Sequence, residues 1–217
     1  MNTLDFIIKK YNLRIGSQYI IDIPNMGRDN LAELFAELNL TVGAEIGVWR
    51  GEYSETLCKA NPNLHLYSVD SWQLSAYEPL EQITALNAPQ AYFDSKYNEA
   101  VQRLAPYNCT IVKKDSIPAL ADFKDNSLDF VYIDANHDFV NFTNDLHYWL
   151  KKVKVGGIMS GHDYAFFSYK KFNHVKRALM AYARCYRMIP LFVAGAQEYQ
   201  EVIVRDKYRS WFWVKDK

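Results

Sequence analysis

The chain has 217 residues, 49% hydrophobic and 15% aromatic, which suits one domain with a sizeable core and excludes a disordered or fibrous chain. Its 25 basic and 25 acidic side chains cancel, so no net field draws it to a polyanion, and nucleic acid is not an expected partner. Cys58, Cys109 and Cys185 lie far apart without CxxC spacing, which fits reduced thiols in a cytoplasmic protein better than a disulfide framework or a zinc site.

The opening MNTLDFIIKKYNLRIG lacks the apolar core of a signal peptide, and no segment approaches about 18 uninterrupted apolar residues, so no membrane association is expected. Residues 1–40 read as a helical N-terminal extension. Short apolar runs then recur at 42–47 (VGAEIG), 64–69 (LHLYSV), 109–113 (CTIVK), 128–133 (LDFVYI) and 156–160 (GGIMS), each long enough for a buried strand. The second run is followed by an irregular stretch, 73–90, holding Pro79 and Pro89. A loop of that length in a compact domain is more often functional than not, and a lid is expected.

Residues 139–150 (FVNFTNDLHYWL) place Phe139, Phe142, Leu146 and Trp149 on one helical face, with Asn141, Asn144 and Asp145 mostly on the other. Residues 169–182 repeat the pattern through Tyr169, Phe172, Val175, Leu179 and Tyr182, leaving Lys170, Lys171, Lys176 and Arg177 as a solvated face. Strands that alternate with helices imply right-handed crossovers and a mostly parallel sheet covered on both faces, an α/β fold. Beyond residue 185 the runs RMIPLFVAG, EVIVRD and SWFWV are too close together for crossover helices and predict an antiparallel hairpin at the sheet edge. The aromatic SWFWV offers an interface for a homo-oligomer.

In open α/β sheets ligands bind beyond the carboxyl ends of the strands, so each end can be inspected for chemistry. The first carries Glu45, Gly47 and Gly51 before a helix start that could bind an anion, although a purely structural turn has the same look. Trp49 and Arg50 fill the middle of that turn, so it is not GxGxxG. The second carries Asp70, Ser71 and Trp72, and a carboxylate there can accept both ribose hydroxyls. At the third, Asp115 and Ser116 could bond a base or merely cap a helix. The fourth and fifth, YIDANHDF and MSGHDY, supply Asp134, His137, His162 and Asp163, although taken singly the histidines could be capping or core residues and the aspartates helix caps. If those strands are neighbours, Asp134 and Asp163 share one gap and need a proton or cation between them, with His162 as a further donor. Oxygen ligands suit Mg²⁺ or a similar ion, and histidines also admit a transition metal.

Over residues 40–165 these segments resemble a class I S-adenosylmethionine-dependent methyltransferase: AEIGVWRG looks like its acidic-plus-glycine motif, YSVDSW like its ribose motif and KKDSI like its adenine segment. The stretch from YIDANHDF to SGHDY is similar to methyltransferase family 24, akin to the macrocin-type sugar O-methyltransferases. The resemblance implies a Rossmann-like, seven-stranded sheet with S-adenosylmethionine as cofactor. Glu45, Gly47 and Gly51 would lie at its methionine end, Asp70 with Ser71 and Trp72 at the ribose, and Asp115 and Ser116 near the adenine. Asp134 would border the cofactor, hold a divalent cation with Asp163, and act in catalysis beside His137 as general base. One departure stands out: Tyr164 occupies the second position of the family's acidic pair, leaving a three-carboxylate set incomplete.

The expected reaction is O-methylation of a hydroxylated small molecule, a sugar or glycoside; Tyr77, Tyr92 and the AFFSY run at 165–169 either close over it or belong to the core. A nicotinamide-dependent oxidoreductase and a non-catalytic binding module of the same fold are the rival readings.

Overall fold

The computed structural model describes residues 1–73, 89–165, 173–195 and 208–216. In chain order the elements are α1 (Thr3–Lys10), β1 (Ile20–Ile23), α2 (Arg28–Glu37), β2 (Val42–Ile46), α3 (Glu52–Ala60), β3 (His65–Asp70), α4 (Gln90–Leu104), β4 (Cys109–Lys113), α5 (Ser116–Ala119), β5 (Leu128–Ile133), α6 (Phe139–Lys152), β6 (Val153–Gly161), α7 (Val175–Tyr186), β7 (Leu191–Ala194) and β8 (Trp211–Val214). The five expected strands are all present, within a few residues of their expected bounds.

The strands form one sheet in the order β1-β7-β8-β6-β5-β2-β3-β4. β8 runs antiparallel to both β6 and β7, and every other neighbouring pair is parallel. The fold is thus the expected Rossmann-like α/β arrangement with an antiparallel C-terminal pair, but among the described residues its sheet has eight strands where seven are expected. The additional strand is β1, from the stretch read as a helical extension, whose residues Ile20 to Ile23 register against Leu191 to Ala194. It takes the edge, so the antiparallel pair lies inside the sheet. Trp211, Phe212 and Trp213 are in consequence fully buried and do not present the expected interface.

Strand alternation builds two cores on opposite faces. From β5, Phe130 and Tyr132 join α1, α2 and α3, with Ile7, Leu34, Phe35 and Leu57 behind them. Val131 and Ile133 point the other way, toward Phe142, Leu146 and Trp149 of α6 and Leu179 of α7. β8 obeys the same rule: Phe212 stacks on Phe192 at 5.0 Å on the first face, while Trp211 and Trp213 stack at 5.4 Å on the second.

The α6 stripe differs from expectation at two positions. Phe139 is 53% exposed, whereas Asp145 is 2% exposed. The spacing explains the second: Asp145 follows Phe142 by three positions and precedes Trp149 by four, inside the apolar stripe, where the Ser116 hydroxyl donates to it. The stretch 74–88, with the expected lid and Tyr77, lies outside the described residues, as do the rest of AFFSY after Ala165 and all of EVIVRD. Among the described residues no helix is long and apolar enough to cross a membrane.

Candidate functional site

The seven parallel strands point their carboxyl ends to one rim, and the sheet order fixes the sequence of residues along it. Passing from β6 to β4, one meets His162 and Asp163, then Asp134 and His137, the Gly47 turn, Asp70, and finally Asp115 and Ser116.

The β3 end clasps the turn that follows β2. One oxygen of Asp70 accepts the backbone N–H groups of Val48 and Trp49, each at 2.9 Å, and the other accepts that of Trp72 at 2.9 Å. The Trp72 indole closes the loop by donating to Trp49 O at 2.7 Å. These bonds hold Trp49 and Trp72 at φ +53° and +47°, a left-handed conformation unusual for such side chains. Burial pushes the Asp70 carboxyl above its ordinary range, against the surrounding N–H groups, which favour its charged form.

The two glycines serve the same turn by facing protein. A Cβ on Gly47, at φ +92°, would lie 2.3 Å from Asp134 O, so only glycine lets the β2 and β5 ends approach this closely. Gly51, at φ +76°, is backed by Leu104 of α4 at 3.2 Å. Trp72 is 1% exposed and packs with Val48, Phe93 and Leu104, Ser71 is buried beside it, and Tyr92 lies 5.7 Å from the Trp49 ring.

Glu45 lies under the turn. It is 2% exposed and accepts a hydrogen bond from Ser54, which lies 2.6 Å from Ser68, itself 3.2 Å from the Cys109 sulfur. Burial raises its pKa well above the ordinary carboxylate range, outweighing the Ser54 hydroxyl, and the nearby Asp134 adds to the rise. At the far end of the rim Asp115 is exposed at the start of α5 and makes no side-chain cap, while Ser116 is turned onto Asp145.

The β5 and β6 ends bring four polar side chains together. His137 Nε2 is 3.0 Å from Asp163 Oδ2 and 3.9 Å from Asp134 Oδ1; His162 Nδ1 is 3.3 Å from Asp163 Oδ2 and 3.9 Å from Asp134 Oδ1. Asp163 is buried with φ +63°. Burial alone would lower the His137 pKa, but the two carboxylates overcome it and raise the imidazole to about 10. His162 is raised in the same way, principally by Asp163, and Asp163 is held well below the carboxylate range by both imidazoles despite its burial.

Asp134, His162 and Asp163 each offer one donor atom, and those atoms lie within 4.8 Å of one another. Among the described residues His162 Nε2 is buried with no hydrogen-bond partner. Two carboxylate oxygens and one imidazole nitrogen form a set that fits a divalent cation. Tyr164 takes no part: its ring packs against Lys176 at 4.6 Å and Arg209 at 5.8 Å. His162, preceding Asp163, offers the third donor atom of that group.

Sequence reading missed two residues at the rim. Arg28, at the start of α2, brings its Nη1 within 3.9 Å of Asp134 Oδ2 across more than a hundred positions of chain, a separation without a local pattern. Asp145 stands behind Ser116, and its place in the α6 stripe was the available signal.

A mostly parallel sheet with one antiparallel strand inserted near its end is the architecture of the class I S-adenosylmethionine-dependent methyltransferases. The chain belongs to methyltransferase family 24, whose methyltransferase domain matches residues 44–164, more than half of its length. No curated protein matches it by sequence. An O-methyltransferase from Bacillus cereus in complex with SAH is similar over 98% of this chain and 90% of that one, at 15% identity and a TM-score of 0.57. The O-methyltransferase TomG from Streptomyces achromogenes, involved in tomaymycin synthesis and in complex with SAM, is similar over 96% and 86%, at 15% identity and a TM-score of 0.56. An rRNA methylase from Streptococcus thermophilus reaches the same TM-score of 0.57 at 11% identity, over 86% and 95%. Likeness at these identities is likeness of fold, and it spans proteins with unlike acceptors.

Proposed function

We propose that this protein transfers the methyl group of S-adenosylmethionine to a hydroxyl group of a small molecule, a sugar or glycoside, in the reducing cytoplasm. The observation that carries this reading is the meeting of Asp134, His137, His162 and Asp163 at adjacent strand ends, next to the turn clasped by Asp70. Three free thiols support the compartment.

Methyl transfer is an in-line displacement at carbon, and a neutral alcohol is a poor nucleophile for it. The task of the chain is to bring oxygen, methyl and sulfur into line and to remove the hydroxyl proton. In this reading Asp70 orients the ribose through the turn it organises, and Asp115 and Ser116 border the adenine. Glu45, Gly47 and Gly51 shape the floor of the methionine end, with Ser71 and Trp72 bracing it.

His137 is the proton acceptor. With both carboxylates charged it already holds a proton, so its use as a base requires Asp134 and Asp163 to be neutralised. Asp134, Asp163 and His162 would hold a divalent cation, which when bound lowers the pKa of a coordinated hydroxyl and offsets the two negative charges. Asp163, 3.0 Å from His137 Nε2, keeps the imidazole aimed at the same point.

The test is calorimetry with S-adenosylhomocysteine and with NADH, followed by transfer of labelled methyl from S-adenosylmethionine to a panel of sugars and glycosides, with and without magnesium. Binding of S-adenosylhomocysteine but not NADH, and label in the acceptor fraction, is the expected result. Binding of neither, with no label transferred, would leave a non-catalytic relative of the family.

A further inference from the structure

Arg28 lies outside the matched span of the family, yet it is held at the centre of the rim. Its guanidinium stands over the Tyr53 ring at 5.3 Å, and the Tyr53 hydroxyl donates to Arg28 O at 2.9 Å, so α3 grips the residue by both side chain and backbone. Nη1 approaches Asp134 Oδ2 at 3.9 Å, an ion pair longer than a hydrogen bond. Asp134 follows β5 and is packed against Gly47 at the end of β2, so the guanidinium sits at the junction of the β2 and β5 ends, on the α3 side through Tyr53.

The sheet order fixes what reaches that junction if the proposed function holds, and the inference rests on it. With adenine over β4 and ribose over β3, the sulfur of the cofactor falls between β2 and β5, facing the acidic and imidazole cluster. The amino-acid arm branches from that sulfur and ends in a carboxylate that needs a cation once water is displaced. We infer that Arg28 binds the α-carboxylate of the methionine arm, its fork already stacked on Tyr53 and positioned beside Asp134. A planar guanidinium suits this task because it meets a carboxylate with two parallel N–H groups.

Methylthioadenosine shares the nucleoside and thioether of S-adenosylhomocysteine but lacks the amino-acid arm, so the pair isolates the contact. In calorimetry, Arg28→Gln should bind S-adenosylhomocysteine roughly ten- to hundred-fold more weakly than wild type. Its affinity for methylthioadenosine should stay within about twofold, since no ion pair to that ligand is lost. Arg28→Lys keeps the charge without the fork and should fall between the two for S-adenosylhomocysteine; it also serves if the glutamine variant folds poorly. Unchanged affinity for S-adenosylhomocysteine, or equal loss for both ligands, overturns the assignment while the proposed function stands. Wild-type protein that binds neither ligand removes the proposed function and this inference together.

Discussion

His137 Nε2 and Asp163 Oδ2 lie 3.0 Å apart across the gap between the β5 and β6 ends, joining two loops whose strands are neighbours in the sheet. The contact gives His137 a defined direction as well as a raised pKa. His137→Gln preserves the size of the side chain and removes the proton acceptor. Methyl transfer should fall by about 10² to 10⁴ while S-adenosylhomocysteine affinity stays within about twofold. Single-turnover rates with calorimetry check this, and an unchanged rate would take the base role from His137.

Asp70 is expected to matter for stability as well as for the cofactor, because its carboxylate is the acceptor for three backbone N–H groups. Asp70→Ala leaves those donors without their acceptor and should lower unfolding free energy by about 3 kcal/mol. Asp70→Asn keeps one acceptor oxygen and should cost less. Urea denaturation gives the order, and the alanine variant should also lose S-adenosylhomocysteine binding. An alanine variant as stable as wild type would mean that the clasp contributes nothing.

Gly47 and Gly51 should respond differently to alanine. At Gly47 the added Cβ meets main-chain atoms of Asp134 and Ala135, all within 2.6 Å, which cannot move without shifting the β5 loop. A loss of at least about 2 kcal/mol is expected, together with reduced transfer. At Gly51 the nearest atoms are the flexible end of Leu104 at 3.2 Å, so the main penalty is the left-handed backbone, about 1 kcal/mol. Chemical denaturation of both variants checks the contrast.

Asp145 makes the protein sensitive to pH away from the reactive cluster. Burial raises its carboxyl to about 7, outweighing the Ser116 hydroxyl, with Asp138 contributing. An unfolded aspartate titrates near ~3.9, so between these values the folded state binds the extra proton, and stability falls as pH rises. The decline is complete just above the folded value and amounts to up to about 4 kcal/mol. Asp145→Asn should flatten melting temperature between about pH 4 and 7.5 and stabilise the protein above that range. A profile as steep as that of wild type would assign the pH dependence elsewhere.

The parallel part of the sheet was legible because each buried strand is a short apolar run bounded by turn residues, and LDFVYI and CTIVK coincide with β5 and β4. The polar strand ends were legible for the same reason, since a carboxylate directly after such a run has few places to go except the rim. β1 was not, because IIDI is four residues long and has meaning only through its pairing with Leu191 to Ala194, far along the chain. That one omission misplaced the antiparallel pair at the edge and SWFWV on the surface. At the glycine turn the sequence leaves an anion-binding turn and a purely structural one open, and it does not show that Gly47 is needed for the approach of Asp134. Local sequence shows that a turn must be tight without showing what presses on it.

The insertion of β8 between β6 and β7 has a consequence for the order in which the molecule can be assembled. On the ribosome β1 emerges early, but its partner β7 joins the rest of the sheet only through a strand made some twenty positions later still. Until Trp211 to Val214 arrive, the nascent chain can lay down β2 to β6 while its first strand waits outside. Vectorial synthesis thus leaves the β8-facing edge of β6 unpaired until late.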